Sequence, residues 1–281
     1  MKIFRKIVDF YIDASIHVGL SCFALVQITN FMFHIQGNES VSYFAFFGTI
    51  VGYNFVKYES LARAKKSQMR SKLKAITILT SLSFLAVGYC FFQLQKMTQM
   101  ISVGVFILTL LYTLPFFPNR KNARNWAGVK IYIVSLCWVG VTVVLPILNA
   151  EIPITADFFL KCIQRFILIF VLILIFEIID LKNDDPYLQT VPQQIGVSLT
   201  QRLGYILLFL FMAIEMFNSH INFNNNFHSS FLELLLIFAV AFLTALFLFF
   251  VNEKQSKYYT SFWAESVPIF WVLLTFILNR I

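Results

Sequence analysis

The chain has 281 residues, of which 59% are hydrophobic and only 13% charged, with a formal net charge of +8. About a quarter of the residues of a soluble globular domain are charged, so this composition excludes one and makes the bilayer the solvent. It also turns the positive charge away from nucleic acid, because in a membrane protein an excess of Lys and Arg sets orientation.

Apolar runs follow one another at 16–35, 41–58, 75–94, 100–117, 130–149, 160–180, 203–218, 231–251 and 262–279. Each is close to the roughly 20 residues that cross a hydrocarbon core as a helix. No period-2 alternation with regular turns runs through the chain, as a membrane barrel would need. The expected fold is all-α: a polytopic bundle of about nine transmembrane helices, forming a single domain over residues 1–281. The stretch before the first run carries Asp9 and Asp13 and lacks the apolar core of a secretory signal, so that run is read as a helix that stays.

The loops orient the bundle. Bases gather at the N-terminus (Lys2, Arg5, Lys6), between Lys57 and Lys74, at Arg120, Lys121, Arg124 and Lys130, at Lys182 and Arg202, and at Lys254 and Lys257. All of these fall on one side of an alternating topology, leaving Lys96, Lys161, Arg165 and Arg280 elsewhere. That side, and the N-terminus with it, is expected to be cytoplasmic, and the odd number of spans sends the C-terminus across. The expected location is a bacterial inner membrane. Cys22, Cys90, Cys137 and Cys162 lie far apart in or beside apolar runs without CxxC spacing, which reads as packing.

Ionisable groups at the edge of a membrane helix need a reason, and Glu177, Asp180, Asp184 and Asp185 gather at the end of the sixth run. On a continuing helix Asp180 and Asp184 share a face, about 6 Å apart along the axis. Such a pair suits Mg²⁺, which takes one or two carboxylates and completes its shell with water and substrate phosphates. It is equally the pattern of a hydrated helix end. Lys57 offers an ammonium to these acids or to a phosphate, or else snorkels at the interface. The bases from Arg63 to Lys74 serve orientation and, in the alternative, attract anionic groups. Inside the bundle Arg165 and Glu215 are expected to pair as a structural link, with Glu233 a further polar group. His220 and His228 flank an Asn-rich loop and show no metal-ligand spacing.

Residues 177–196 read EIIDLKNDDPYLQTVPQQIG, a DxxxD pair followed by Thr190-x-Pro192 and Gly196 just ahead of an apolar helix. This resembles the second aspartate motif of the UbiA superfamily of intramembrane prenyltransferases. The similarity extends to the number of helices and to Tyr112-Thr113-Leu114-Pro115 followed by Arg120 and Lys121. The resemblance implies transfer of a prenyl group from a prenyl diphosphate to an aromatic or quinone-precursor acceptor. Asp180 and Asp184 would hold Mg²⁺, and Asn54 would orient a phosphate or metal-bound water. Lys57, Tyr112, Arg120, Lys121 and Lys182 would line the diphosphate. The partners implied are the bilayer and a prenyl diphosphate or isoprenoid lipid. The family's first motif, NDxxDxxxD, is represented only by Asn54, with Phe55, Tyr58 and Ala62 at the acidic positions. A catalytically inactive relative that binds an isoprenoid or other lipid would show the same one-sided loss.

Overall fold

A computed structural model describes residues 2–64, 71–113, 128–182, 184, 186–222 and 227–278. Most of the described residues are helical, and none is in a strand. In order they form α1 (Lys2–Asp13), α2 (Ile16–Met32), α3 (Glu39–Ala64), α4 (Ser71–Phe92), α5 (Lys96–Thr113) and α6 (Lys130–Val139). A π-helical turn at Gly140–Val144 leads into α7 (Leu145–Asn149), followed by α8 (Ala156–Asp180), α9 (Val191–Ile195), α10 (Val197–Asn222) and α11 (Phe227–Phe250). A second π-turn, Tyr259–Trp263, and a 3₁₀ turn, Ala264–Ser266, run into α12 (Val267–Leu278).

Six of these segments are long and apolar enough to cross a membrane: Lys72–Phe92, Lys130–Asn149, Ala156–Asp180, Val197–Asn218, Phe231–Phe250 and Tyr259–Leu278. Helices α1 and α2 meet that standard together but are bent by 60°, and Lys96–Leu111 is a shorter apolar helix. The chain is therefore a multi-pass helical membrane protein. Its lipid-facing surface is plain on α4, where Phe84, Leu85, Tyr89 and Phe92 are 60–81% exposed. In water that much apolar area would be an aggregation surface, whereas hydrocarbon makes it neutral.

Helix α8 is the central pillar, with 72% of its apolar window buried inside the protein. Its Leu168, Val171, Ile175 and Ile178 pack with Leu25 and Ile28 of α2, Phe211 of α10, Ile237 and Val240 of α11 and Trp271 of α12. A second core joins α2 to α3 and α7 through Cys22, Val26, Val41, Ala45 and Leu145.

Local chemistry explains the irregular places. Pro146 has no N–H for the carbonyl four residues back, and that carbonyl, of Thr142, instead accepts the Thr29 hydroxyl at 2.6 Å. The turn just before Pro146 is the π-segment. At the α1–α2 bend Ser15 has φ +60°, a left-handed conformation costly for a residue with a Cβ. Side chains from α3 hold it there, as described below. At the opposite end an amide chain ties the loops together. Asn38 donates to Asn30 Oδ1 at 3.1 Å, Asn149 donates to Asn38 Oδ1 at 3.0 Å, and Asn149 Oδ1 accepts the Gln95 N–H at 3.0 Å.

Candidate functional site

The acidic end of α8 is built as a folded-back turn. Past Asp180 the chain keeps one more helical hydrogen bond, Asp184 N–H to Asp180 O at 2.9 Å, so both carboxylates stay near the helix terminus. Asp180 is exposed and Asp184 half-buried. The Asp184 Oδ2 atom is buried and, among the described residues, has no hydrogen-bond partner. Glu177, one turn earlier, is buried and accepts the Val191 N–H at 3.2 Å, which pins the start of α9 to α8. Gln193 reaches back to the Thr190 N–H at 2.9 Å, Pro192 sits in the first turn where its missing N–H costs nothing, and Gly196 at φ +78° ends the helix. A backbone bond from Gly128 to Leu188 O at 3.1 Å holds the turn against the start of α6. Thus the Thr-x-Pro…Gly spacing is the local code for a tight turn beneath the two aspartates.

The two carboxylates make a fitting partial donor set for Mg²⁺, which needs no more than one or two from protein when phosphate and water supply the rest. The unpartnered Asp184 Oδ2 is the atom that argues for it. Among the described residues no group of three or more His, Cys, Asp or Glu gathers at metal-holding distance.

The other predicted residues divide. Lys182 lies beside the acids in sequence but pairs with Glu253, at the end of α11, at 3.5 Å, with both side chains largely exposed. Asn54 and Lys57 are engaged at the α1–α2 bend. Asn54 Nδ2 donates to Ala14 O at 3.0 Å and to Thr80 Oγ1 at 2.9 Å, while its Oδ1 is buried with no partner among the described residues. Lys57 Nζ donates to Ser15 Oγ at 3.1 Å, and Tyr58 donates to Asp13 O at 2.8 Å. None of these bonds joins the bend to Asp180 or Asp184. The Tyr112 side chain, Arg120, Lys121 and Asp185 lie outside the described residues.

Around the same bend the structure assembles groups that spacing could not reveal. His17 is buried, with Nδ1 2.9 Å from the Tyr11 hydroxyl, Nε2 2.9 Å from Phe262 O and 3.1 Å from Ser266 Oγ. Asp13 meets Lys72, Asp9 meets the Tyr258 hydroxyl, and Lys257 reaches both acids at 3.4 and 3.5 Å. Partial burial pulls the Lys257 ammonium down, but the Asp13 and Asp9 carboxylates outweigh it and hold its pKa above the ordinary value. The end of α1, the last turns of α3, the start of α4 and the segment just before the second π-turn are thereby fastened into one knot.

One expected pair is corrected. Glu215 does not pair with Arg165. It takes Lys161 Nζ at 2.8 Å and Gln164 Nε2 at 2.9 Å, and Glu233 joins the same ammonium at 3.4 Å. Arg165 instead donates to Leu25 O and Thr142 Oγ1, each at 3.0 Å, and to Thr29 Oγ1 at 3.3 Å. Lys161 and Arg165 are one helical turn apart and both inward, but the rotation of the neighbouring helices gives the acids to Lys161. Comparison with protein-family models, curated proteins and solved structures finds no match to the chain.

Proposed function

We propose that the chain is a UbiA-like protein with nine transmembrane spans and a cytoplasmic N-terminus in a bacterial inner membrane, and that it transfers a prenyl group from a prenyl diphosphate to an aromatic or quinone-precursor acceptor. Adding α2, α3 and α5 to the six spans that meet the length and hydropathy standard gives nine. The knot of Lys72, Lys257, Asp9 and Asp13 supports the orientation, since it brings the basic flanks of α4 and of the last span to the end of α1 at one face.

The observation that carries the functional reading is the Asp184 N–H bond to Asp180 O at the end of the largely buried α8, together with an Asp184 Oδ2 that is buried and has no hydrogen-bond partner among the described residues. Mg²⁺ held by those carboxylates would draw charge off the diphosphate as it leaves. Glu177 acts on the turn and not on substrate: its bond to the Val191 N–H sets the height of the Thr-x-Pro segment under the acids. The acidic face is exposed at Asp180, so a water-borne diphosphate reaches it while its prenyl tail lies against apolar helix.

A second reading is favoured by the hydrogen bonds of Asn54 and Lys57. The two polar groups of the degenerate first motif hold the α1–α2 bend, and Phe55, Tyr58 and Ala62 supply no carboxylate. A protein built this way binds an isoprenoid lipid without ionising it. Binding of a prenyl diphosphate analogue to the purified protein, with and without Mg²⁺, separates the outcomes. Metal-dependent binding lost in the Asp180→Asn, Asp184→Asn double variant supports the transferase, with product from an aromatic acceptor screen as its completion. Binding of an isoprenoid alcohol with no metal effect leaves the lipid-binding reading and overturns the enzymatic one.

A further inference from the structure

The half of the bundle remote from the base-rich end contains a cluster that the proposed chemistry does not use. Lys161, Gln164 and Arg165 occupy one face of α8 at i, i+3 and i+4, and are only 3–6% exposed. Together with Thr29, Met32 and Trp271 they line a partly open cavity of about 10 Å³, room for one water-sized atom.

Three features of this cavity ask for a negative charge. The Arg165 guanidinium is a permanent cation, and it donates to a carbonyl and two hydroxyls, all neutral. Among the described residues no carboxylate comes within ion-pair distance of it, because Lys161 and Gln164 take the nearby acids. The Trp271 indole lies 5.6 Å from the guanidinium, and its Nε1–H is buried with no acceptor among the described residues. A buried donor left unpaired is destabilising, and a buried charge without a counter-charge is more so. Water would satisfy the indole N–H and leave the guanidinium with neutral partners alone, the Trp271 ring face among them. An anionic oxygen answers both.

The lining also fixes the class of molecule. Met32, Phe33 and the Trp271 ring give the cavity an apolar side toward the end of α2, while the donors sit on α8. We propose that this is a binding site for the carboxylate of a single-chain amphiphile, one oxygen seated against Arg165 and Trp271 and the alkyl chain running past Met32 and Phe33 into lipid. The π-turn at 140–144 is what makes the site: Pro146 frees the Thr142 carbonyl for the Thr29 hydroxyl, and Thr142 Oγ1 and Thr29 Oγ1 then present the guanidinium to the cavity.

The chain contains four tryptophans, so Trp271 is read as the difference between wild type and Trp271→Phe. The full chain in detergent is titrated with 2-bromodecanoate, whose bromine quenches indole fluorescence at contact, and with 2-bromodecanol and sodium bromide. The expected result is saturable quenching of Trp271 by the carboxylate, none by the alcohol, and binding at least tenfold weaker in Arg165→Gln. Because that variant removes a buried charge, Met32→Phe is measured beside it. It narrows the mouth, keeps every charge, and is also expected to weaken binding at least tenfold. Equal quenching by the alcohol, or equal quenching in wild type and both variants, overturns the site and makes Arg165 a structural tie. Saturable quenching by bromide with no advantage for the amphiphile overturns the amphiphile assignment in favour of a free halide.

Discussion

Replacing Lys161 by Met tests whether the buried charge cluster contributes to the stability of the bundle. Its ammonium lies 2.8 Å from Glu215 Oε2 and 3.4 Å from Glu233 Oε2, with the three side chains 6%, 1% and 21% exposed. Removing one partner of a buried pair typically costs about 3–5 kcal/mol, because the other is left charged and desolvated. Lys161→Met strands two carboxylates and belongs at the top of that range. Glu215→Gln leaves Lys161 with Glu233, so its cost falls to about 2–3 kcal/mol. Glu233→Gln removes the longer bond to the most exposed acid and costs about 1 kcal/mol or less. The double variant Lys161→Met, Glu215→Gln is expected to be less destabilised than the sum of its singles by about 2 kcal/mol or more. Reversible unfolding in mixed micelles, read by circular dichroism, gives the four free energies. A Lys161→Met loss below about 1 kcal/mol, or a larger loss for Glu233→Gln than for Glu215→Gln, would refute the charge assignment.

Two further substitutions probe the packing at the base-rich end. Asn54→Ala removes both donors to Ala14 O and Thr80 Oγ1 and is expected to cost about 1–3 kcal/mol, with faster hydrogen exchange across residues 12–17. Affinity for a prenyl diphosphate should change less than about twofold, since exposed helix ends away from the altered bonds are insensitive to them; a tenfold loss with an unaltered bend would move Asn54 from the bend to the ligand. Gly19→Ala puts a Cβ 3.0 Å from Ile50 Cγ1 and 3.1 Å from the Phe46 carbonyl oxygen, and the carbonyl can yield only if α3 moves. The expected loss is about 1–3 kcal/mol, and a thermal midpoint equal to wild type would show that α2 and α3 pack less closely than these distances state.

The helices were legible because a bilayer leaves the backbone one way to satisfy itself over each apolar run. The run at 130–149 coincides with α6, the π-turn and α7, and the run at 160–180 is α8 less its first turn. Elsewhere the boundaries differ: α2 stops at Met32, three residues short of its run, whereas α3 and α10 outrun theirs. α3 continues from the apolar run ending at residue 58 to Ala64, and α10 begins at Val197, six residues before its run. Polar residues end a hydrophobic run, but helical hydrogen bonds continue into the headgroup region regardless. The α1–α2 break at Ser15 carried no signal, since neither Gly nor Pro marks it and its cause lies 40 residues away in Asn54 and Lys57.

Side-chain pairing was legible only where it was local. The turn beneath Asp180 and Asp184 is written within 20 consecutive residues, and Thr190, Pro192 and Gly196 each occupy the position their backbone preference suits. Lys161 could not be matched to Glu215 and Glu233 in the same way. Helix α8 is apolar on all sides and buried along most of its length, so hydropathy does not fix its rotation about its own axis. Its rotation is fixed by the polar residues. Lys161, Gln164 and Arg165 must all find partners away from lipid, and α10 and α2 each supply two, α11 and the π-turn one each. In a core where Leu and Ile would pack nearly as well at several rotations, these few costly groups select one, and the same selection leaves Arg165 and Trp271 lining one cavity.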